Sequence, residues 1–384
     1  MSMPIYLDHA ATTPVSPSVL AAMEPYFAGV FANPATLYGP GAEAREAVEH
    51  ARETTADAIG ARPDDCYFTS GGTESDNWAI HGVAMEAAKD GKRHVLVSAI
   101  EHHAVLETAE ALRGAGFEVE VIPVTAEGVV EPEAVRERLR PDTALVSVMH
   151  ANNEMGAIQP VAEIGVICRE AGVTFHVDAV QTLHQLPVNV RQMNADLLTL
   201  SAHKLYGPKG VGLLYIRRGT RIARHHYGGE QERGRRAGTL NVPGIVGFGR
   251  ATEESLEQRE QETVRLSGLR DRLIEGTLGA IPNALLSGPW IDRLPNNVHF
   301  CFPGIEGESL LLSLDMQGIC ASAGAACSSG STEPSHVLLA MGRDFDLARG
   351  ALRLTLGRST TAEDVETVLA ILPGVVNELR SLGG

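Results

Sequence analysis

The 384-residue chain is poor in cations, in cysteine and in long apolar runs, and each shortage narrows what it can be. Lysine and arginine number 32 against 48 acidic residues, a formal net charge of −16. A general nucleic-acid surface needs a basic face, so nucleic acid is not an expected partner. The five cysteines are scattered and odd in number, which makes no disulfide framework and points to a reducing, cytoplasmic setting. No apolar run approaches the roughly 20 residues of a membrane-spanning helix, so no membrane association is expected. The opening residues Met1 to Asp8 lack the basic and apolar regions of a secretory signal. There is no internal repeat and no long low-complexity tract. What is present, 44% hydrophobic and 21% charged residues, describes a soluble globular protein long enough for two domains.

From about 64 to 216 apolar strands alternate with amphipathic helices. The strands fall near 66–69, 94–98, 118–122, 143–149, 173–177, 196–200 and 211–216. Helices are expected near 74–89, 103–113, 131–138 and 160–171, with earlier ones near 17–28 and 41–60. Strand alternating with helix predicts an α/β fold with a mostly parallel sheet covered by helices on both faces. A long helix over 242–278 leads into strands near 297–301 and 351–356 and helices near 306–315 and 361–380, read as a smaller α+β domain. The expected division is 15–260 for the large domain and 1–14 with 261–384 for the small one. In such sheets the ligand site forms at the carboxyl ends of the strands.

Four strand ends carry chemistry. Ser70-Gly71-Gly72-Thr73-Glu74-Ser75 opens a helix, and helix N-termini with close-approaching glycines hold phosphate. A plain turn capped by Thr73 is the competing reading. Glu101-His102-His103 follows the next strand. The paired histidines suggest metal, but no set with ligand spacing accompanies them, so no metal site is expected. A neutral imidazole stacked on a ring, or a surface histidine, remains. Asp178 ends an apolar strand, where a carboxylate must find a partner, and a protonated pyridine nitrogen would be one. It could instead cap the next helix. Lys204 sits on a constrained turn after the strand 196–200, beside His203. An amine partly withdrawn from water there loses its proton more easily and can react with an aldehyde. A phosphate cradle, a stacking ring, a carboxylate for a pyridinium and a lysine for an aldehyde together meet the needs of pyridoxal phosphate.

The same residues resemble the cysteine desulfurases of the NifS/IscS kind, in the class V aminotransferase group of fold-type I pyridoxal phosphate enzymes. The likeness covers nearly the whole chain. It runs through Tyr6-Leu7-Asp8, Asn33-Pro34, Thr69 to Asn77, Glu101-His102, Asn152-Asn153-Glu154, His176-Val177-Asp178, His203-Lys204, Gly228-Gly229-Glu230-Gln231-Glu232, Gly238-Thr239, Cys327-Ser328-Ser329-Gly330 and Arg353.

The resemblance implies that Lys204 holds the cofactor covalently, His102 stacks on its ring, Asp178 pairs with the ring nitrogen and Gln181 bonds the phenolic oxygen. Gly72, Thr73, Ser201 and His203 would hold the phosphate, with Thr239 reaching the phosphate of the other subunit in a homodimer. Arg353, with Asn153 and Asn33, would hold the carboxylate of L-cysteine, since an arginine fork bonds a carboxylate bidentately. Cys327, in a stretch of small residues, would take the sulfur as a persulfide and could ligate a cluster transiently during transfer. The other cysteines, Cys66, Cys168, Cys301 and Cys320, read as small buried hydrophobes. The activity implied is conversion of L-cysteine to L-alanine, with sulfur passed to an acceptor protein such as an iron–sulfur scaffold. The chain departs from the pattern at Ser381 to Gly384, where family members often carry a longer tail that helps dock that scaffold. Selenocysteine lyase or another class V aminotransferase activity is the nearest alternative. A silent binding partner in sulfur trafficking is another, opposed by Lys204 and Asp178.

Overall fold

The computed structural model describes residues 4–324 and 334–382. Among these residues the strands, in chain order, are β1 (Ile5–Tyr6), β2 (Cys66–Thr69), β3 (His94–Ser98), β4 (Glu118–Ile122), β5 (Thr143–Ser147) and β6 (Thr174–Asp178). They continue with β7 (Leu197–Ser201), β8 (Gly212–Ile216), β9 (Leu285–Leu286), β10 (Asn297–Cys301), β11 (Ile319–Cys320) and β12 (Ala351–Thr355). Seven of them form one sheet in the order β2-β8-β7-β6-β5-β3-β4. Within it β7, β6, β5, β3 and β4 are parallel, and β8 runs against both of its neighbours.

The sequence pattern explains this sheet. Every residue of β2, β3, β5, β7 and β8 is buried, so these strands read as unbroken apolar runs covered on both faces. Successive residues point to opposite faces. Phe68, Leu96, Val146 and Leu213 join one apolar core, and Tyr67, Val95, Leu145 and Leu214 join the other. The edge strand β4 shows exposed residues among buried ones. The helices Gly72–Ala87, His103–Arg113, Pro132–Arg138 and Val161–Ala171 lie in the connections.

The second unit has a three-stranded antiparallel sheet, β12-β10-β9, and a parallel pair of β1 with β11. Its core gathers Leu7, Val298 and Phe300 of β10, Leu310, Leu352 and Leu372. The 39-residue helix Val242–Ala280 serves both units. Val242, Ile245, Phe248 and Ala251 pack in the large core, whereas Leu266, Leu273 and Ile274 pack in the small one.

Three details differ from the sequence reading. The helix expected over 17–28 is two helices, Pro17–Met23 and Pro25–Ala28, because Pro25 lacks the N–H that would continue the first. The strands β9 and β11 have two residues each, too short for a periodicity to reveal. Cys320, expected to be buried, is partly exposed; it lies in β11, whose one partner in the ladder is β1.

Candidate active site

β3, β5, β6 and β7 are adjacent in the order β7-β6-β5-β3, so their carboxyl ends form one rim. β7 ends in a single tight turn, Ala202–Lys204, which aims Lys204 across that rim. The N-terminal segment after β1 runs over it. Lys204 Nζ donates to the carbonyls of Ala10 (2.6 Å) and Ala11 (2.7 Å), and Gln181 Nε2 donates to the Ala10 carbonyl at 3.1 Å. His203 Nδ1 meets Thr12 Oγ1 at 3.1 Å, and the Thr13 hydroxyl donates to the His203 carbonyl. The amine is therefore held by two backbone carbonyls of the N-terminal segment at the end of β7.

The helix Gly72–Ala87 starts beside this turn. Its N-cap is Gly71, which offers no side chain, so Thr73 is not the cap and the first N–H groups have no capping oxygen. A Cβ on Gly72 would come within 3.0 Å of Val180 Cγ2 and 3.7 Å of Ser201 Cβ, so only glycine fits there without displacement. Gly212, opening β8, similarly lets the backbone of Gly71 approach, since a Cβ would sit 2.7 Å from its carbonyl carbon. Ser201 Oγ is buried and has no hydrogen-bond partner among the described residues. A helix N-terminus without a side-chain cap beside an unsatisfied buried hydroxyl could hold a phosphate.

Asp178 closes β6 with its side chain buried. Its Oδ1 accepts the Val180 N–H at 2.9 Å, and because residues 180–185 form turns and not a helix, it caps no following helix. Burial raises its pKa, while that N–H and the charge of Lys204 pull the other way. Beneath it a polar chain crosses three strands. The Ser147 hydroxyl, the His176 ring and the Thr199 hydroxyl are linked at 2.9 and 3.0 Å, with Asp76 Oδ1 3.6 Å from His176 Nε2. Burial holds His176 neutral, down at about 3, and pushes Asp76 well above the usual carboxylate range.

His102 stands between two clefts. One is lined by Ala10, Ala11, Asn153, His336 and Arg353, and the other by Thr73, Asn77 and His225. Burial, and then the charge of Lys204, lower the His102 imidazole to about 4, so the ring is neutral. Arg353, on β12, is 1% exposed. Its Nη2 donates to Asp8 at 2.7 Å, and its Nη1 to the carbonyls of Asn153 and Gly324, both at 3.0 Å. Its Nε–H is buried without a partner among the described residues, a donor that a carboxylate would satisfy.

The structure thus brings Lys204, His102, Gly72, Thr73, Ser201, His203, Asp178, Gln181, Asn153 and Arg353 to one rim. It does not bring Asn33 or Thr239 into either cleft. Asn33 Oδ1 accepts the Ala35 N–H in its own loop, and Thr239 is exposed. Cys327 lies outside the described residues. Asp8, Glu101 and Glu154 stand in the motifs that carry the resemblance but receive no role from it, and His336 is not among them. They reach the site from the segment after β1, from the turn after β3, from the loop after β5 and from beyond residue 334. A second cluster, Glu74, His225 and His226, places ligand atoms within 4.8 Å of one another. Arg236 already pairs both oxygens of Glu74, at 2.8 and 3.1 Å, which sets a guanidinium where a cation would sit.

The rim fits pyridoxal phosphate. It offers an unmet hydroxyl and helix N-terminus for phosphate, a buried carboxylate for a pyridinium, a neutral ring for stacking and an amine for an aldehyde. The whole chain is similar to known proteins. The family model described as aminotransferase class-V matches residues 5–368. A cysteine desulfurase IscS of Methanosarcina thermophila is 52% identical over 98% of this chain and 93% of its own. A solved structure titled NifS-like protein superposes with a TM-score of 0.92 at 39% identity, covering 98% of this chain and 100% of that one. Another, titled SspA in complex with cysteine, has a TM-score of 0.80 at 35% identity, covering 92% and 98%. The chain belongs to the aminotransferase class-V family, among its pyridoxal phosphate-dependent cysteine desulfurases of the NifS/IscS kind.

Proposed function

We propose that this chain converts L-cysteine to L-alanine and transfers the sulfur to its own Cys327 as a persulfide. The observation that carries the reading is the convergence of Lys204, Asp178, the uncapped Gly72 helix and the buried fork of Arg353 on one rim. The cofactor, when bound, supplies an aldehyde and an electron-withdrawing ring that weakens the bonds at the substrate Cα. The protein does the rest. Gly72, Thr73, Ser201 and His203 would hold the phosphate, and Asp178 would keep a proton on the ring nitrogen. Gln181 would orient the phenolic side, and the face of His102 would cover the ring. Arg353 would hold the substrate carboxylate with Asn153 beside it. Lys204 would bond the aldehyde in the resting enzyme and would move the proton at the substrate Cα. Among the described residues it is the one amine seated at that spot, and general-base chemistry of this kind is worth about 100-fold or more.

Cys327 enters from the sequence alone, as the thiol of the Cys327-Ser328-Ser329-Gly330 stretch that carries the resemblance. Its thiolate would attack the substrate sulfur, forming the sulfur–sulfur bond of the persulfide as the carbon–sulfur bond breaks; the electron pair of the broken bond stays with the substrate carbon, which is reduced and takes up a proton to become the methyl group of alanine. An iron–sulfur scaffold or similar acceptor protein would take the sulfur in the cytoplasm. A homodimer in which Thr239 reaches the partner's phosphate belongs to the same reading, and the exposure of Thr239 supports it. So does a division into 15–260 and 1–14 with 261–384, supported by the change of core along the helix Val242–Ala280. The test is the purified enzyme with L-cysteine. Stoichiometric alanine and sulfide support the reading, whereas amino-group exchange with an α-keto acid, which has no use for Cys327, favours an aminotransferase.

A further inference from the structure

Three histidines, His102, His103 and His336, line the cleft beside Arg353, and in two of them, His102 and His336, one ring nitrogen is committed to the backbone. His102 is the N-cap of the helix His103–Arg113, and its Nδ1 accepts the Ala104 N–H at 3.0 Å. A nitrogen that accepts keeps its lone pair in the ring plane, so the proton of the neutral ring is on Nε2. A proton added at Nδ1 would face the N–H of Ala104 and break the cap. His336 is committed the other way. Its Nε2 lies 3.0 Å from the carbonyl of Glu101, an atom that only accepts. Nε2 therefore carries the proton, and Nδ1 keeps a lone pair. The two commitments are tied together, because the carbonyl that holds His336 belongs to the residue before His102.

We propose that the cleft divides proton handling between these rings: His102 acts there only as a donor, through Nε2–H, and His336 accepts a proton at Nδ1. The inference rests on the desulfurase reading for the identity of the acid. The thiol of bound cysteine loses its proton to His336 Nδ1; the S–H bond breaks, the N–H bond forms, and the electron pair stays on sulfur. His102 cannot serve as that base without giving up its cap.

The neighbouring groups are consistent with this division. Lys204 and the rings of His103 and His336 face His102, and all oppose a positive charge on it. The His103 ring lies 4.7 Å from that of His336, tilted by 56°, and its Nδ1 is 3.8 Å from the exposed Glu107. The carboxyls of Glu101 and Glu154 line the same cleft with Arg353, both carboxyls pushed up by burial. His336 itself is lowered by burial and raised by its bond to Glu101, so it is neutral and able to accept at neutral pH.

The test has two arms. In the cofactor-free full chain labelled with 15N-histidine, long-range proton–nitrogen spectra at pH 7 should show both rings as Nε2–H tautomers. His102→Gln and His336→Gln assign the signals. A His102 protonated on Nδ1 would overturn the proposal. In the holoenzyme, His336→Gln keeps a donor for the Glu101 carbonyl but has no basic nitrogen. It should lose about 100-fold or more in kcat/KM and the acid limb of its pH profile. His102→Gln should lower the rate but keep that limb. A His336→Gln enzyme with the wild-type profile, or a limb lost in His102→Gln instead, would also overturn it. If the wild-type holoenzyme makes no alanine from cysteine, the desulfurase reading fails, while the spectra still decide the two tautomers.

Discussion

Replacing Arg353 by lysine tests the substrate end of the site most directly, because the structure accounts for most of its donors. Arg353 has five N–H groups. One goes to Asp8, two go to the carbonyls of Asn153 and Gly324, and the buried Nε–H has no partner among the described residues. Arg353→Lys keeps the charge but places it on one nitrogen with three donors, and Asp8 and the two carbonyls already claim three. A substrate carboxylate would then lose at least one of its two charge-assisted hydrogen bonds, worth about 1.5–3 kcal/mol. At about 1.4 kcal/mol per decade, that predicts an apparent KM for cysteine raised roughly 10- to 150-fold. The loss falls on binding made equally in ground and transition states, so kcat should change much less. Initial rates of alanine formation across a cysteine series give both constants, and cofactor absorbance reports on the ring end of the site. The alanine variant is a poor substitute. It would leave Asp8 without its buried partner, and breaking such a pair costs about 3–5 kcal/mol of stability. An Arg353→Lys enzyme with unchanged KM would remove Arg353 from substrate recognition.

Four further outcomes are expected. Lys204→Ala should bind no borohydride-fixable cofactor; fixation at another lysine, located by peptide mapping, would move the assignment. Asp178→Asn keeps the shape of the side chain but not its charge, and turnover should fall roughly 100-fold, about 3 kcal/mol of barrier; a loss under about threefold would leave Asp178 a structural residue. Cys327→Ser should keep cofactor binding and the absorbance change on adding cysteine, yet release no alanine and carry no persulfide by mass spectrometry. Glu101→Gln should flatten the pH dependence of stability. Burial raises Glu101 from 4.5 to about 8, so unfolding releases its proton between those values. Wild-type stability therefore falls as pH rises through that window, by on the order of a few kcal/mol. Thermal unfolding of the variant between pH 5 and 8 should lack that part of the fall, and an unchanged slope would refute it.

The sequence by itself determined the α/β class, because strands covered on both faces leave unbroken apolar runs such as Leu197 to Leu200, and the helices between them keep their own period. It also placed the residues proposed for the cofactor. Gly72, Asp178 and Lys204 each sit at the end of such a run, and a strand end fixes where its next residue stands. Tertiary structure alone decided the substrate end. Asp8, Asn153 and Arg353 are far apart in the chain and meet because β1 and β12 carry the second unit up to the rim. Asp8 is bridged in parallel to Thr355, the last residue of β12. The same holds in part for the histidines. Paired His102 and His103 stand out in the chain, but nothing in it tells which nitrogen carries the proton. That is set by the N–H of Ala104 on one ring and by the carbonyl of Glu101 on the other, which His336 reaches across 235 residues. The Ala104 N–H is local to His102 and comes with the start of its helix, whereas the Glu101 carbonyl is brought to His336 only by the fold.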